Sequence, residues 1–269
     1  MPDENVRLEF KDPIAILTLD RPDKRNALNA QMFSLLEAAI KEIEMKRPRA
    51  LVVTGEGDKA FCAGFDVHPD NPMNEYMLQA VADKDTSEAL KSIGRIREVA
   101  DALIALPVPI VAAVNGLAFG GGAEIAARCD LRVMDPEAVI CFSETRLGLM
   151  PDFGGIPSLV RLAGPSIAAD LVLTARKVSA QEALDLKLVN RISVPGKALE
   201  EALALAETIA ANGPRAVRSA LEVIRRSQDM PLEDALALEQ KKAVDLVVSG
   251  EFIYGVAAFL EKKLPDFPE

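Results

Sequence analysis

Glu124 stands directly behind Gly120-Gly121-Gly122-Ala123, just after an apolar run, Val108 to Ala113, has been broken by Asn115-Gly116. The run reads as a buried strand, and the segment from the glycines onward as a helix with Glu124 in its first turn. A helix start leaves several backbone N–H groups without intrahelical partners, and its positive end favours negative charge beside them. Glycine lets such a backbone turn sharply or approach a ligand closely. The stretch therefore has the outline of an anion hole with a carboxylic acid or base at its rim. The same features have a plain structural use, because glycines let a helix pack tightly on a sheet and a first-turn glutamate is a favourable dipole partner. Two more acids lie downstream in Ser143 to Gly155, where Glu144 and Asp152 flank Gly148 and precede Gly154-Gly155.

Composition limits what these acids can serve. The chain has 269 residues, 49% apolar and 27% charged, enough for one large domain or a core with a smaller tail. Its 41 acidic and 31 basic residues give a formal net charge of −10. Such a surface gives nucleic acid no basic face to bind, although a local basic pocket can still hold an anionic small ligand. No apolar run reaches the roughly 20 residues of a membrane span, and the acidic, polar start does not read as a signal peptide. Cys62, Cys129 and Cys141 are odd in number and unpaired in spacing, which suits free thiols in a reducing compartment, so the expected location is cytoplasmic. With His68 as the one histidine, no metal site suggests itself. Cys62 reads as strand packing and His68 as a loop residue.

The elements that must position the acids follow from periodicity. Ile14 to Leu19 and Ala50 to Val53 read as strands around a helix that Asn29 caps, making a β-α-β unit. Asp66 to Glu75 reads as an irregular loop suited to a pocket wall. A helix is expected from Thr86 to Leu106, with Leu90, Ile93, Ile96, Arg97 and Ala100 on one side. Leu131 to Met134, Val139 to Phe142 and Leu188 to Ile192 read as further strands. Short helices lie between the last two, and Ser179 to Glu182 has capping-box spacing. Beyond Pro195 the pattern is only helical, with Pro231 at a first helical position and a last amphipathic helix carrying Phe252, Val256, Phe259 and Leu260. Residues 1–195 thus read as an α/β core and 196–269 as a helical tail that packs on the core or on a neighbouring subunit.

Taken together, several motifs resemble the enoyl-CoA hydratase/isomerase family, the crotonase superfamily. They are Leu19-Asp20-Arg21-Pro22 with Asn26-Ala27-Leu28, Phe61 to Asp66, and Ala113 to Gly116 with Gly120 to Glu124 and Cys129-Asp130. Glu144 with Leu147-Gly148, Gly154-Gly155, Leu173-Thr174 and the stretch from Gly255 to Lys263 complete the series. The resemblance spans nearly the whole chain. It implies a spiral core of ββα turns, a helical C-terminal region for oligomerisation, and a trimer or a hexamer made of two trimers. It also implies an acyl-CoA thioester substrate and no cofactor beyond the coenzyme A carried by that substrate. The thioester oxygen would be held by the Phe65 and Gly121 amides, which fits chemistry that builds enolate charge on that oxygen. Glu124 would hold and activate water, and Glu144 would supply the proton to the α-carbon.

Asp152 opens a second reaction. Its Pro151-Asp152-Phe153-Gly154 register resembles relatives that shift double bonds, in some of which an aspartate moves the proton; it could equally cap the helix beginning near Gly154. Hydratase is the leading reading, with isomerase and a non-catalytic CoA-binding relative as alternatives. For CoA, the resemblance implies Lys24 and Arg25 at the nucleotide loop, Ala63 at a backbone contact, and Phe259 and Lys262 reaching the CoA of a neighbouring subunit. Solvated turn charge is the alternative for Lys24 and Arg25. Ile156 and Tyr254 depart from the threonine and glutamate common in relatives. Asp66 to Asp85 matches the variable acyl-pocket wall of relatives, and its apolar residues read either as channel lining or as packing on the core.

Overall fold

The computed structural model describes residues 5–268. β1 (Val6–Lys11) pairs antiparallel with β2 (Ile14–Leu19). A short 3-10 turn at Pro22–Lys24 leads to α1 (Ala30–Lys46), where the Asn29 side chain caps by accepting from the Met32 amide at 2.9 Å. β3 (Ala50–Gly55) lies parallel to β2 and completes the expected β-α-β unit. Next come β4 (Ala60–Cys62), α2 (Met73–Asp83), α3 (Thr86–Ala105), β5 (Ile110–Val114), β6 (Leu117–Phe119) and α4 (Gly121–Arg128). β7 (Leu131–Met134) and β8 (Val139–Cys141) precede a 3-10 turn at Glu144–Leu147, then α5 (Gly155–Ala163) and α6 (Pro165–Thr174). β9 (Val178–Ser179), α7 (Ala180–Asp185) and β10 (Arg191–Ile192) close the core, and α8 (Ala198–Ala210), α9 (Pro214–Ser227), α10 (Leu232–Ser249) and α11 (Glu251–Glu261) follow.

Strands alternate between two sheets. One runs β1-β2-β3-β5-β7-β10, parallel except for the β1 hairpin; the other runs β4-β6-β8-β9, parallel except for its last pair. Thus β3 then β4, β5 then β6, and β7 then β8 each place one strand in each sheet before a helix returns the chain. That is a ββα spiral.

Every residue of β2, β3 and β5 is buried, because both faces of the large sheet are covered. One face, with Ala15, Leu17, Leu51, Val53 and Ala112, joins the core shared with α1, α3 and α4. The other, with Ile14, Ala50, Val52, Val111 and Val133, is covered by Ala202, Leu205, Ala206 and Ala210 of α8. Arg225 of α9 pairs with Asp130 at 2.6 Å and donates to the Leu106 and Val108 carbonyls, tying the C-terminal helices to the start of β5.

The structure corrects several sequence readings. β1 and β6 were not expected, since β1 alternates charged residues and β6 is three residues long. Part of the supposed loop at Asp66 to Glu75 belongs to α2, which starts at Met73. Within α3, Leu90 is 73% exposed and Ile93 is exposed, while Ile96, Val99, Ala100 and Leu103 are buried. Arg97, expected on the same side, is exposed as well, so only Ile96 and Ala100 of the expected face are buried, where the second half of the helix has the core beneath it. Pro231 sits at the cap preceding α10 rather than inside it.

Candidate active site

The turn into α4 is made by close backbone approach. Gly120 adopts φ 52° and ψ −128°, and its amide donates to the Cys141 carbonyl at 2.9 Å. A Cβ on Gly122 would stand 2.2 Å from the Cys62 carbonyl oxygen, so α4 seats directly on the backbone of β4. The following residues reach the same place. Leu28 bridges to Phe65 by donating to the Gly64 carbonyl and accepting from the Asp66 amide. That pairing turns the intervening Phe65 amide to the other side of the extended chain. Gly64 in turn lies against α4: a Cβ there would be 3.0 Å from the Gly121 nitrogen. Among the described residues, neither the Phe65 nor the Gly121 amide donates to a protein backbone acceptor.

Glu124 is 0% exposed. Its Oε2 accepts from the Gly155 amide at 2.7 Å and its Oε1 from the Asp152 amide at 3.3 Å. Glu144 is also buried, in the 3-10 turn after β8, and among the described residues neither of its carboxylate oxygens has a hydrogen-bond donor. Its Oε1 lies 3.3 Å from where a Gly120 Cβ would be, next to the turn that begins α4. Burial pushes the Glu124 carboxyl well above the ordinary range; the Gly155 amide opposes the shift, and the charges of Glu144 and Asp152 add to it. Burial raises Glu144 and Asp152 too, with the Asp152 charge acting on Glu144 and the Arg97 charge partly offsetting the rise at Asp152. Two amides favour the ionised form of Glu124, and the adjoining Glu144 carboxyl favours its protonated form. The two carboxyls lie close enough to titrate as a pair. Asp152 does not cap α5: the cap residue is Gly154, with no side-chain hydrogen bond.

Residues that sequence reading passed over hold this arrangement. The Phe153 ring lies under Gly121, its nearest carbon 3.0 Å from a would-be Cβ. Arg128, four residues after Glu124 on α4, donates to the Phe153 carbonyl and to Asp101 of α3, each at 2.5 Å. The i,i+4 spacing from Glu124 was a signal in the sequence, but its meaning depends on which turn packs against α4. Arg132 is buried and donates to the carbonyls of Ala126, Ala127, Cys129 and Leu188, so it caps the end of α4.

The other candidates divide. The Ala63 amide donates to the Arg25 carbonyl at 3.0 Å, which brings Ala63 beside the Lys24–Arg25 loop. Lys24 lines a cavity of about 410 Å³ with Arg21, Asn29, Asp66, His68 and Asn71. Phe259 and Lys262 stand exposed at the end of α11. His68 is exposed, and its Nδ1 lies 3.3 Å from Asp70. The Cys62 thiol is pushed up to about 12 by burial, so it is packing and not a nucleophile. A cavity of about 820 Å³ lies between β1, β6 and α8 and is lined by none of the three acids.

Known proteins show the family. The sequence profile described as Enoyl-CoA hydratase/isomerase matches residues 9–269. The chain belongs to the enoyl-CoA hydratase/isomerase family. It is 38% identical over 251 residues to YngF of Bacillus subtilis, covering 93% of this chain and 92% of YngF. It is 35% identical over 260 residues to the short-chain-enoyl-CoA hydratase of Clostridium acetobutylicum, covering 96% and 95%. The crystal structure of an enoyl-CoA hydratase from Bacillus anthracis superposes with a TM-score of 0.89 at 32% identity, covering 98% of each chain. Membership of this family makes the chain an enzyme of the crotonase superfamily, and the two-sheet spiral is the fold it shares with these hydratases.

Proposed function

We propose that this enzyme adds water across the 2,3 double bond of a trans-2-enoyl-CoA. The observation that carries the reading is the asymmetric pair: Glu124 buried and held by two amides, Glu144 buried with no donor to either oxygen among the described residues. Glu124 takes a proton from water as the water oxygen bonds to C3. The C2–C3 electron pair moves toward the thioester, whose oxygen takes up enolate charge between the Phe65 and Gly121 amides. Glu144 then delivers its proton to C2. The protons balance, since one enters Glu124 and one leaves Glu144, and exchange through solvent restores the pair.

Lys24, Arg25 and Ala63 are proposed to meet the CoA moiety, and no further cofactor enters the scheme. Phe259 and Lys262 are proposed to reach the CoA of a neighbouring subunit in a trimer or a pair of trimers, and the exposed apolar face of α10 and α11 supports self-association. A cytoplasmic site of action fits the three free thiols.

One observation favours a second reading, double-bond isomerisation by Asp152 and Glu144. Asp152 is partly buried, its carboxyl is raised by burial, and it is not used as a helix cap.

Incubation with a short trans-2-enoyl-CoA in water enriched in heavy oxygen separates the two. Hydration gives a 3-hydroxyacyl-CoA carrying the heavy atom, and Glu124→Gln or Glu144→Gln abolishes it. A shifted double bond without label uptake, lost on Asp152→Asn, would replace hydration with isomerisation.

A further inference from the structure

The turn Asp152–Gly155 connects both halves of the site. Its Asp152 and Gly155 amides hold the two oxygens of Glu124, and its Phe153 ring lies under Gly121. The position of this turn therefore sets both the carboxylate and the backbone that presents the Gly121 amide. The buried Phe153 ring anchors the turn in the core, and a guanidinium holds its backbone. Arg128 donates to the Phe153 carbonyl at 2.5 Å, and Gly154, at φ 97°, lets the chain pass so close that a Cβ there would meet the Arg128 side chain at 3.1 Å.

Arg128 is placed by α3. Its second nitrogen donates to Asp101 Oδ1 at 2.5 Å, and Asp101 also accepts from Arg97 at 2.7 Å. Arg128 and Glu124 occupy i and i+4 positions on one face of α4, the spacing at which opposite charges usually pair. Here the described ion-pair partner of Arg128 is Asp101 and not Glu124. With the guanidinium directed to Asp101 and the Phe153 carbonyl, Glu124 accepts from the Asp152 and Gly155 amides beside the acids Glu144 and Asp152.

We infer that Arg128, aimed by Asp101, is a positioning residue: it clamps the Phe153 carbonyl and so holds the turn whose amides fix Glu124. The inference rests on the proposed role of Glu124. Acting through the turn, Arg128 governs how well the base is aligned and how strongly its anion is favoured, while substrate binding is left to other residues.

The test compares Arg128→Met, Arg128→Lys and Asp101→Asn with the intact enzyme and with Glu124→Gln. Arg128→Met is expected to lower kcat by about 10- to 100-fold, the usual effect of a sub-ångström to ångström misplacement of a reacting group, with KM changed less than about threefold. Arg128→Lys, which restores one donor without the fork, is expected to recover part of kcat. Asp101→Asn is expected to fall between wild type and Arg128→Met.

A readout independent of turnover is the titration of Glu124 in protein labelled with 13C at the glutamate carboxyl carbon, assigned by its loss in Glu124→Gln. In Arg128→Met this titration moves to higher pH, because the loosened amides no longer favour the anion. An unchanged Glu124 titration in Arg128→Met, or a kcat within about twofold of wild type while Glu124→Gln is inactive, overturns the inference. An active Glu124→Gln instead overturns the proposed catalytic role of Glu124, and the titration still decides whether Arg128 positions it.

Discussion

Glu124 and Arg128 stand one helical turn apart on α4 and grip the same four-residue turn: the carboxylate accepts from its amides at Asp152 and Gly155, and the guanidinium donates to its carbonyl at Phe153. An acid and a base at this spacing would ordinarily satisfy each other. Here the backbone between them takes both, which leaves the carboxylate buried without a cation. Burial and neighbouring acids then raise its proton affinity, the property a general base or acid needs near neutral pH.

Gly155 has no room for a side chain. A Cβ would lie 2.5 Å from Glu124 Cγ and 2.8 Å from its Oε2. Gly155→Ala is therefore expected to push the carboxylate off its two amides and reduce kcat by about 100-fold. Gly94→Ala, in α3 with nothing within 4 Å of the added atom, is the contrast. It should leave kcat unchanged and stabilise the chain by ~0.5–1 kcal/mol. Steady-state rates and thermal melts of the two variants check both statements.

Glu144 makes stability depend on pH in a definite sense. Burial holds its native carboxyl above the ordinary value, so the folded chain binds more protons than the unfolded chain between those two values. Stability contributed by the protonated acid is full below the unfolded pKa and is lost as pH rises through the native one. Glu144→Gln removes the penalty, so its Tm should exceed wild type at pH 8 by about 2–4 °C and match it near pH 4. A variant melting below wild type at pH 8 would contradict this.

Arg132 donates to four carbonyls from a buried position, three of them at the end of α4. Arg132→Met strands those acceptors, and a loss of about 3 kcal/mol or ~5–10 °C in Tm is expected. Arg132→Lys should recover little, because an ammonium cannot span the same set of acceptors. Urea unfolding of both variants supplies the measurement.

Self-association can be tested on α11. Phe252, Ile253, Val256, Phe259 and Leu260 are all at least half exposed, Phe259 at 81%. With the exposed Val244, Val247 and Val248 of α10 they make an apolar face larger than lone surface residues produce. Phe252→Asp with Phe259→Asp is expected to lower the mass seen by light scattering to that of one 28.9 kDa chain. Retention of a higher mass would remove this face from the assembly.

Much of the chain was legible as sequence because the deciding physics is local. Buried strands show as apolar runs at Ile14–Leu19, Ala50–Val53 and Ile110–Val114, and helix starts show as caps at Asn29 and Ser179. Gly120 to Glu124 announced a tight turn with an acid behind it, and order along the chain carried the resemblance to the family. Other features depend on what lies opposite. Only the tertiary structure decided that Leu90 faces outward while Ile96 is buried, since an amphipathic helix longer than the core beneath it presents the same pattern throughout. Only the tertiary structure decided that α8 seals the second face of the large sheet. The same holds for the site. Sequence supplied Glu124, Glu144 and Asp152 as three acids, but which one is held by amides, which is left without a donor, and which arginine braces the turn between them follow from contacts between segments about 25–30 residues apart. Those contacts are set by packing of α4 against α5 and the turn before it and by the Arg128–Asp101 ion pair to α3, and such partners leave no periodicity in either segment.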